Sequence, residues 1–209
     1  SVIEFIKKSL NKYDPDLITA DGGFDPINEN YHEQESYLLI FGEILTAISV
    51  QKKGGKFVCK FLDMYTDVSI KLLYIVSQFY NSVEIYKPFT SRQSNAERYI
   101  IATDFKYSKT EKDYIKNYNI LKDLFIKCKS ITLNNNIIND IFPSFKVPNN
   151  YKENIIKLNT QIATVQYKNI FNRIQYFKSS NLNNDQFIIY STEQENATNF
   201  WIKTFIEKT

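Results

Sequence analysis

Apolar and polar positions alternate along the first half of the chain between strand-like and helix-like spacing. Asp16 to Ala20 (DLITA) is a short apolar run closed by Asp21-Gly22-Gly23, which predicts a buried strand ending in a loop where backbone is approached closely. From Glu33 to Gln51, the residues Tyr37, Leu38, Phe41, Ile44, Leu45 and Ile48 recur at spacings of three and four. They form one face of an amphipathic helix, stopped by Gly54-Gly55. Lys56 to Leu62 (KFVCKFL) predicts a second strand. Thr66 reads as the cap of a second helix whose apolar positions are Val68, Leu72, Ile75, Val76 and Phe79. Ser82 to Tyr86 (SVEIY) and Arg98 to Ala102 (RYIIA) predict two further strands. The polar loop between them, Lys87 to Glu97, has no room for a helix, so these two are expected to be antiparallel.

This order is the second half of an open α/β sheet, whose ligands sit at the carboxyl ends of the strands. Function is therefore expected after Ala20, after Leu62 and around Glu97. Beyond Phe105 the chain changes character. Ser108 with Glu111 predicts a capping box opening a helix with Tyr114, Tyr118, Leu121 and Phe125 on one face. Ile155, Leu158, Ile162, Val165, Ile174 and Phe177 mark a long helix after Pro148, and Thr192 with Glu195 reads as the cap of a last one carrying Trp201. The Asn134–Asn136 and Asn181–Asn184 clusters read as turns. The expected organisation is a sheet-bearing core over residues 1–105 and a helical extension packed on it over 106–209.

Composition narrows the function classes. A chain of 209 residues is the size of one α/β domain, and 43% hydrophobic residues with five glycines and five prolines argue for an ordered globule. The net charge of +3 is compatible with nucleic acid but far below a balance that would indicate it unaided. Cys59 and Cys128 are too few and too separated for a disulfide framework or a zinc site, and read as buried thiols in a reducing compartment. His32 is the only histidine, which argues against a metal cluster and a serine-type triad. No apolar run approaches a membrane span and Ser1 opens no signal peptide, so a soluble, intracellular protein is expected.

Three charged groups fall where a sheet enzyme keeps its chemistry: Asp21 after one strand, Lys60 near the end of the next, and Glu97 at the entry of the return strand. Singly, each has a bland use as a turn former, a snorkelling strand lysine or a solvated carboxylate. Together, a lysine flanked by two carboxylates is a proton-handling site. Phe24 and Tyr65 stand in two of the loops on that side, placed for base stacking or for core packing. Lys52-Lys53 reads as a solvated helix end favoured by the macrodipole.

ITADGGFD (Ile18 to Asp25), GGKFVCKFLD (Gly54 to Asp63) and KPFTSRQSNAERYI (Lys87 to Ile100), in this order, resemble the FtsJ/RrmJ-type ribose 2′-O-methyltransferases. The wording is most similar to the branch in eukaryotes and large DNA viruses that methylates the first transcribed nucleotide of capped mRNA. Gln161-Ile162-Ala163 and Trp201 extend the resemblance along most of the chain. The resemblance implies a Rossmann-like α/β sheet, seen from its second half and ending in an antiparallel strand, with a helical annex. It implies S-adenosylmethionine as cofactor, with Asp21 and Gly22 beside it, and capped RNA as partner, with room for association with other capping enzymes. Of the family's Lys-Asp-Lys-Glu tetrad it places the last three members on Asp21, Lys60 and Glu97. Lys87, Ser91, Arg92 and Asn95 are placed to grip RNA phosphate or ribose.

The chemistry explains such a tetrad. A methyl group on a sulfonium transfers in line to a ribose hydroxyl, a poor nucleophile until its proton is taken or polarised. Free lysine, with a pKa of about 10.4, is protonated at pH 7; burial and a second lysine lower that value, whereas Asp21 and Glu97 raise it. Lys60 is thus expected to be base or orienter of the 2′-OH, with Glu97 positioning Lys60 and Asp21 positioning both Lys60 and the methionine portion. The first tetrad lysine and the Gly-rich turn that holds the cofactor have no counterpart, so the chain resembles a C-terminal segment, expected to be inactive alone. Ribosomal or transfer RNA ribose methylation, and a non-catalytic methyltransferase-like RNA-binding subunit, stand as alternatives. The site of action is expected to be the cytoplasm (replication sites) for a viral source and the nucleus for a cellular one.

Overall fold

β1 (Leu17–Ala20) and β2 (Lys56–Phe61) run parallel, with Leu17 opposite Lys56 and Ala20 opposite Cys59. Parallel neighbours need a crossover, and α1 (His32–Val50) supplies it. The structure is a computed structural model that describes residues 4, 8, 14–88, 91–133, 138–178 and 184–207. The predicted apolar stripe faces inward: Tyr37, Phe41, Ile44, Leu45 and Ile48 are buried and Leu38 is partly so. Beyond Val50 the chain turns through Gly54, whose φ of 79° suits a residue without Cβ. The turn is tied by Gln51, a buried amide that donates to the Pro15 carbonyl at 2.9 Å and accepts from the Tyr80 hydroxyl at 3.1 Å.

α2 (Asp67–Phe79) begins at Thr66, whose hydroxyl accepts from the Ser69 N–H at 3.3 Å. It passes without a loop into β3 (Tyr80–Tyr86), and β4 (Arg98–Phe105) returns between β2 and β3, antiparallel to both, giving the order β1-β2-β4-β3. The last two strands are longer than the apolar runs SVEIY and RYIIA. The ladder continues through polar positions, pairing Ser82 with Thr103 and Tyr80 with Phe105. Asp104 takes a φ of 62°, and its carboxylate accepts from Asn81 Nδ2 at 2.6 Å. Phe57, Cys59 and Phe61 of β2 and Ile100, Ala102 and Phe105 of β4 join the inner faces of α1 and α2 in one core. The period-two alternation places Val58 and Lys60 on the opposite face of β2.

α3 (Lys112–Leu133) packs on α1, with Phe125 edge-on to Phe41 at 5.4 Å and the Tyr114 hydroxyl donating to the Ile48 carbonyl at 3.1 Å. Half of the expected capping box forms. The Glu111 carboxylate accepts from the Ser108 N–H at 2.7 Å, whereas the Ser108 hydroxyl lies 3.1 Å from that of Thr110. α4 (Asn149–Lys178) and α5 (Asn184–Phe205) follow. The chain divides into two compact units within α4, Ser1–Gln166 and Tyr167–Thr209. In the first, Ile155 and Asn159 of α4 are buried. In the second, Tyr167 stacks on Phe171 at 6.3 Å and Trp201 lies 5.9 Å from Phe205.

The Thr192 cap is corrected. α5 already starts at Asn184, so Thr192 is interior and its hydroxyl donates to the Ile188 carbonyl at 2.8 Å, the back-bond of a mid-helix threonine. The Asn134–Asn136 cluster and residues 181–183 lie outside the described residues. Among the described residues no helix is long and apolar enough to cross a membrane.

Candidate active site

Extending the β1–β2 register one step past Ala20 and Cys59 sets Asp21 beside Lys60, and the two meet at 2.9 Å between Nζ and Oδ1. The Lys60 ammonium is held above its ordinary value, first by the hydrogen bond to Asp21, against burial, with the charges of Asp21, Glu97 and Glu43 adding to it. On the other side of β2, the antiparallel register places Tyr99 directly opposite Lys60, which brings their side chains to the same face. The Tyr99 hydroxyl donates to Glu97 at 2.7 Å. Because that donor favours the ionised carboxylate, Glu97 is depressed, and Tyr99 itself is pushed up to about 12.

The loop before β4 folds around Glu97. Ser91 Oγ and Asn95 Nδ2 donate to its carboxylate at 2.9 and 3.2 Å, and Lys87 Nζ donates to Asn95 Oδ1 and to the Glu97 carbonyl, each at 2.8 Å. Burial lowers the Lys87 ammonium, opposed by Glu97. Of the four residues expected to grip RNA, Lys87, Ser91 and Asn95 thus form one polar knot around Glu97, while Arg92 is exposed beside it. Beneath the strand, the fully buried Arg98 anchors this edge: Nη1 donates to Asn159 Oδ1 at 2.5 Å and Nε to the Ala96 carbonyl at 3.2 Å.

At the end of β1 the backbone approach expected at the glycines occurs at Gly22. A Cβ there would lie 2.6 Å from Glu43 Oε1 and 2.9 Å from Leu39 Cδ1, whereas one at Gly23 would meet open space. Gly22, Gly23, Phe24, Leu39 and Lys60 line a cleft of about 70 Å³ that also reaches His32. The Phe24 ring stacks on His32, 5.3 Å away and 7° from parallel. Tyr65 is 49% exposed, with the Arg98 guanidinium 5.8 Å from its ring centre. Asp63, 4.0 Å from His32 Nδ1, is raised by burial and by Glu33, while Arg98 and His32 lower it.

Two residues of this site were not anticipated. Tyr99 stands two positions beyond Glu97, the spacing that puts both on one strand face; that spacing was the available signal. Glu43 lies on α1 among the buried Ile40, Ile44 and Ala47 and accepts from the Gly22 N–H at 2.7 Å. A carboxylate on an inward helix face was its signal.

The family described as FtsJ-like methyltransferase matches residues 1–105. The cap-specific mRNA (nucleoside-2'-O-)-methyltransferase 1A of Caenorhabditis briggsae is 34% identical over 122 residues, which are 57% of this chain and 14% of that protein. The cap-specific mRNA (nucleoside-2'-O-)-methyltransferase 1 of Dictyostelium discoideum is 35% identical over 161 residues, 77% of this chain and 20% of that protein. Its namesake from Bos taurus is 38% identical over 106 residues, 50% of this chain and 13% of that protein. The chain therefore spans a fifth or less of the length of these curated relatives.

Proposed function

The chain belongs to the FtsJ-like methyltransferase family, and we propose that it carries the acceptor-activating half of an RNA ribose 2′-O-methyltransferase site that acts on the capped 5′ end of mRNA. The observation that carries this reading is the 2.9 Å contact between Lys60 and Asp21 at the carboxyl end of the sheet, opposite Tyr99 and its bonded Glu97. The capped substrate is taken from the names of the relatives.

When bound, S-adenosylmethionine supplies an electrophilic methyl group on its sulfonium. The residues present fit one end of that molecule: Gly23 leaves backbone open at the cleft beside Gly22, and the Asp21 side chain, 61% exposed, offers a carboxylate to an ammonium group. Lys60 acts as orienter of the 2′-OH. Kept protonated by Asp21, it donates a hydrogen bond to the ribose oxygen and orients it, while the hydroxyl proton departs to solvent. It would serve as base only where a second cation offset Asp21. Asp21 holds the ammonium in direct contact, and the charge of Glu97 adds to it.

Lys87, Ser91, Arg92 and Asn95 are assigned to ribose or phosphate near the target nucleotide, with the knot around Glu97 coupling that grip to the reacting centre. The boundary between methyltransferase core and helical extension falls after Phe105, where the family match also ends. Action on mRNA caps belongs to the nucleus of a cell or the cytoplasmic replication sites of a virus, in company with other capping enzymes.

The test is methyl transfer from labelled S-adenosylmethionine to a short RNA bearing a 7-methylguanosine cap, using this chain and a form extended upstream. Transfer in the extended form, abolished by Lys60→Ala with RNA binding nearly intact, is the expected result. RNA binding without transfer in either form would assign the chain to a non-catalytic subunit.

A further inference from the structure

We propose that Glu43 is a positioning residue of this site and that it acts by reach rather than by charge: its carboxylate holds the Gly22 N–H and so fixes where Asp21 meets Lys60. The catalytic consequence rests on the function proposed above; the geometric claim does not.

The turn after β1 is clamped on one side only. Glu43 Oε1 accepts from the Gly22 N–H at 2.7 Å, and the same oxygen and Leu39 occupy the space any Cβ at that position would need. Gly23, the next residue, has nothing within 4 Å of such an atom. Gly22 is therefore the pinned residue, and Asp21, its neighbour, makes the 2.9 Å contact to Lys60. A partly buried carboxylate is retained at a cost unless its oxygens are bonded. The other one, Oε2, lies 3.5 Å from Cys59 Sγ on β2, so Glu43 links α1, the end of β1 and β2 at one point.

The groups facing Glu43 are Asp21 from the turn and Lys60 and Cys59 from β2. Lys60 is faced by Asp21 and Glu43, and from the β4 side by Glu97, which Tyr99 holds. Burial raises the Glu43 carboxyl above the usual range, and an amide of the same length still offers the Gly22 N–H an acceptor oxygen. A shorter carboxylate is not one, since it keeps the charge and cannot reach the Gly22 N–H.

This separates two variants. Glu43→Gln keeps an acceptor oxygen at full reach without charge; Glu43→Asp keeps the charge and withdraws it by one methylene. The readout is the apparent pKa of Lys60, taken from the pH dependence of its acylation by acetic anhydride in this chain and followed on the Lys60 peptide by mass spectrometry. Glu43→Asp is expected to lower that value by on the order of one unit, because the opposite charge of Asp21 is no longer held in contact. Glu43→Gln is expected to keep most of the native value. Gly22→Ala, whose Cβ would fall 2.6 Å from the same Glu43 oxygen and 2.9 Å from Leu39, is read in parallel and is expected to lower it as well.

An unchanged Lys60 value in both Glu43→Asp and Gly22→Ala overturns the proposal, as does a drop in Glu43→Gln as large as that in Glu43→Asp, which would make charge the agent. In the extended protein, Glu43→Asp should lie roughly tenfold or more below Glu43→Gln in kcat at similar KM for RNA, the scale of a small misplacement at the reacting centre. The Lys60 titration needs no methyl donor, so failure of the proposed function would leave that arm standing.

Discussion

The Tyr99 hydroxyl donates to the Glu97 carboxylate at 2.7 Å, and of all the influences on Glu97 this bond does most to keep it ionised. Ser91, Asn95 and the charge of Lys60 act in the same direction, and burial opposes them. Tyr99→Phe should therefore raise the Glu97 pKa toward the ordinary carboxylate value. A carboxylate depressed by folding contributes stability above its unfolded pKa and loses it as pH falls through the folded one. The variant should lose part of that contribution and unfold at a higher pH than the parent on acidification. Carbon-detected NMR titration of the Glu97 carboxyl checks this directly; an unmoved titration curve would remove Tyr99 from the site.

Lys60 gives the opposite sign. Its pKa is raised by Asp21, so the pair contributes stability that is fully present below the unfolded lysine value near 10.4 and lost as pH rises through the folded one. Asp21→Asn removes the largest raising influence. The expected outcome is a lower Lys60 pKa and a loss of stability that is fully present at neutral pH and shrinks as pH rises through the folded lysine value, where parent and variant converge. Because the Asp21 side chain is 61% exposed, the effect should not exceed about 1 kcal/mol. Urea unfolding at pH 8 and pH 10.5 reads it.

Thr66 and Glu33 make a second polar joint, between the start of α1 and the loop that leaves β2. Glu33 Oε1 accepts from both the N–H and the hydroxyl of Thr66, at 2.9 and 2.7 Å, and Tyr37 donates to the same hydroxyl at 2.7 Å. Thr66→Val keeps the shape and removes the cap of α2 together with both hydroxyl bonds. A loss of about 1 to 2 kcal/mol in unfolding free energy is expected, the usual range for a helix cap. A change within a few tenths would mean that the backbone bond to Glu33 alone fixes the loop.

What the sequence made legible follows from what kind of signal each feature leaves. The strands, the crossover helix and the Thr66 cap rest on periodicity and local hydrogen bonding, which are written in neighbouring residues. The order β1-β2-β4-β3 is not, because whether β4 enters beside β2 or stays at the edge depends on pairing across the sheet. Asp21, Lys60 and Glu97 could be singled out by position at strand ends, yet the partner Tyr99 was hidden inside RYIIA as an ordinary strand aromatic. Glu43 was hidden by the fact that α1 reads as a helix with or without it. Thr192 misled for a related reason: a threonine three residues before a glutamate is a cap only where the helix begins, and that depends on residues upstream.

The buried joint between β4 and α4 yields the sharpest stability prediction. Asn159 is 4% exposed; its Oδ1 accepts from Arg98 Nη1 at 2.5 Å and its Nδ2 donates to the Met64 carbonyl at 2.6 Å. Arg98 is fully buried, and its Nη2 already lacks a hydrogen-bond partner among the described residues. Asn159→Leu keeps the volume but strips the guanidinium of one bond and orphans a carbonyl. Removing a neutral hydrogen-bond partner from a buried charged group costs roughly 1.5 to 3 kcal/mol, a sizeable share of the 5–15 kcal/mol typical of a domain. Loss of both partners together is different in kind, since nothing charged is left stranded. Arg98→Met combined with Asn159→Leu should therefore be more stable than Asn159→Leu alone, although it carries one more substitution. Urea unfolding of the two single variants and the double gives the coupling energy. A double variant weaker than either single would assign the cost to packing at this joint rather than to the stranded guanidinium.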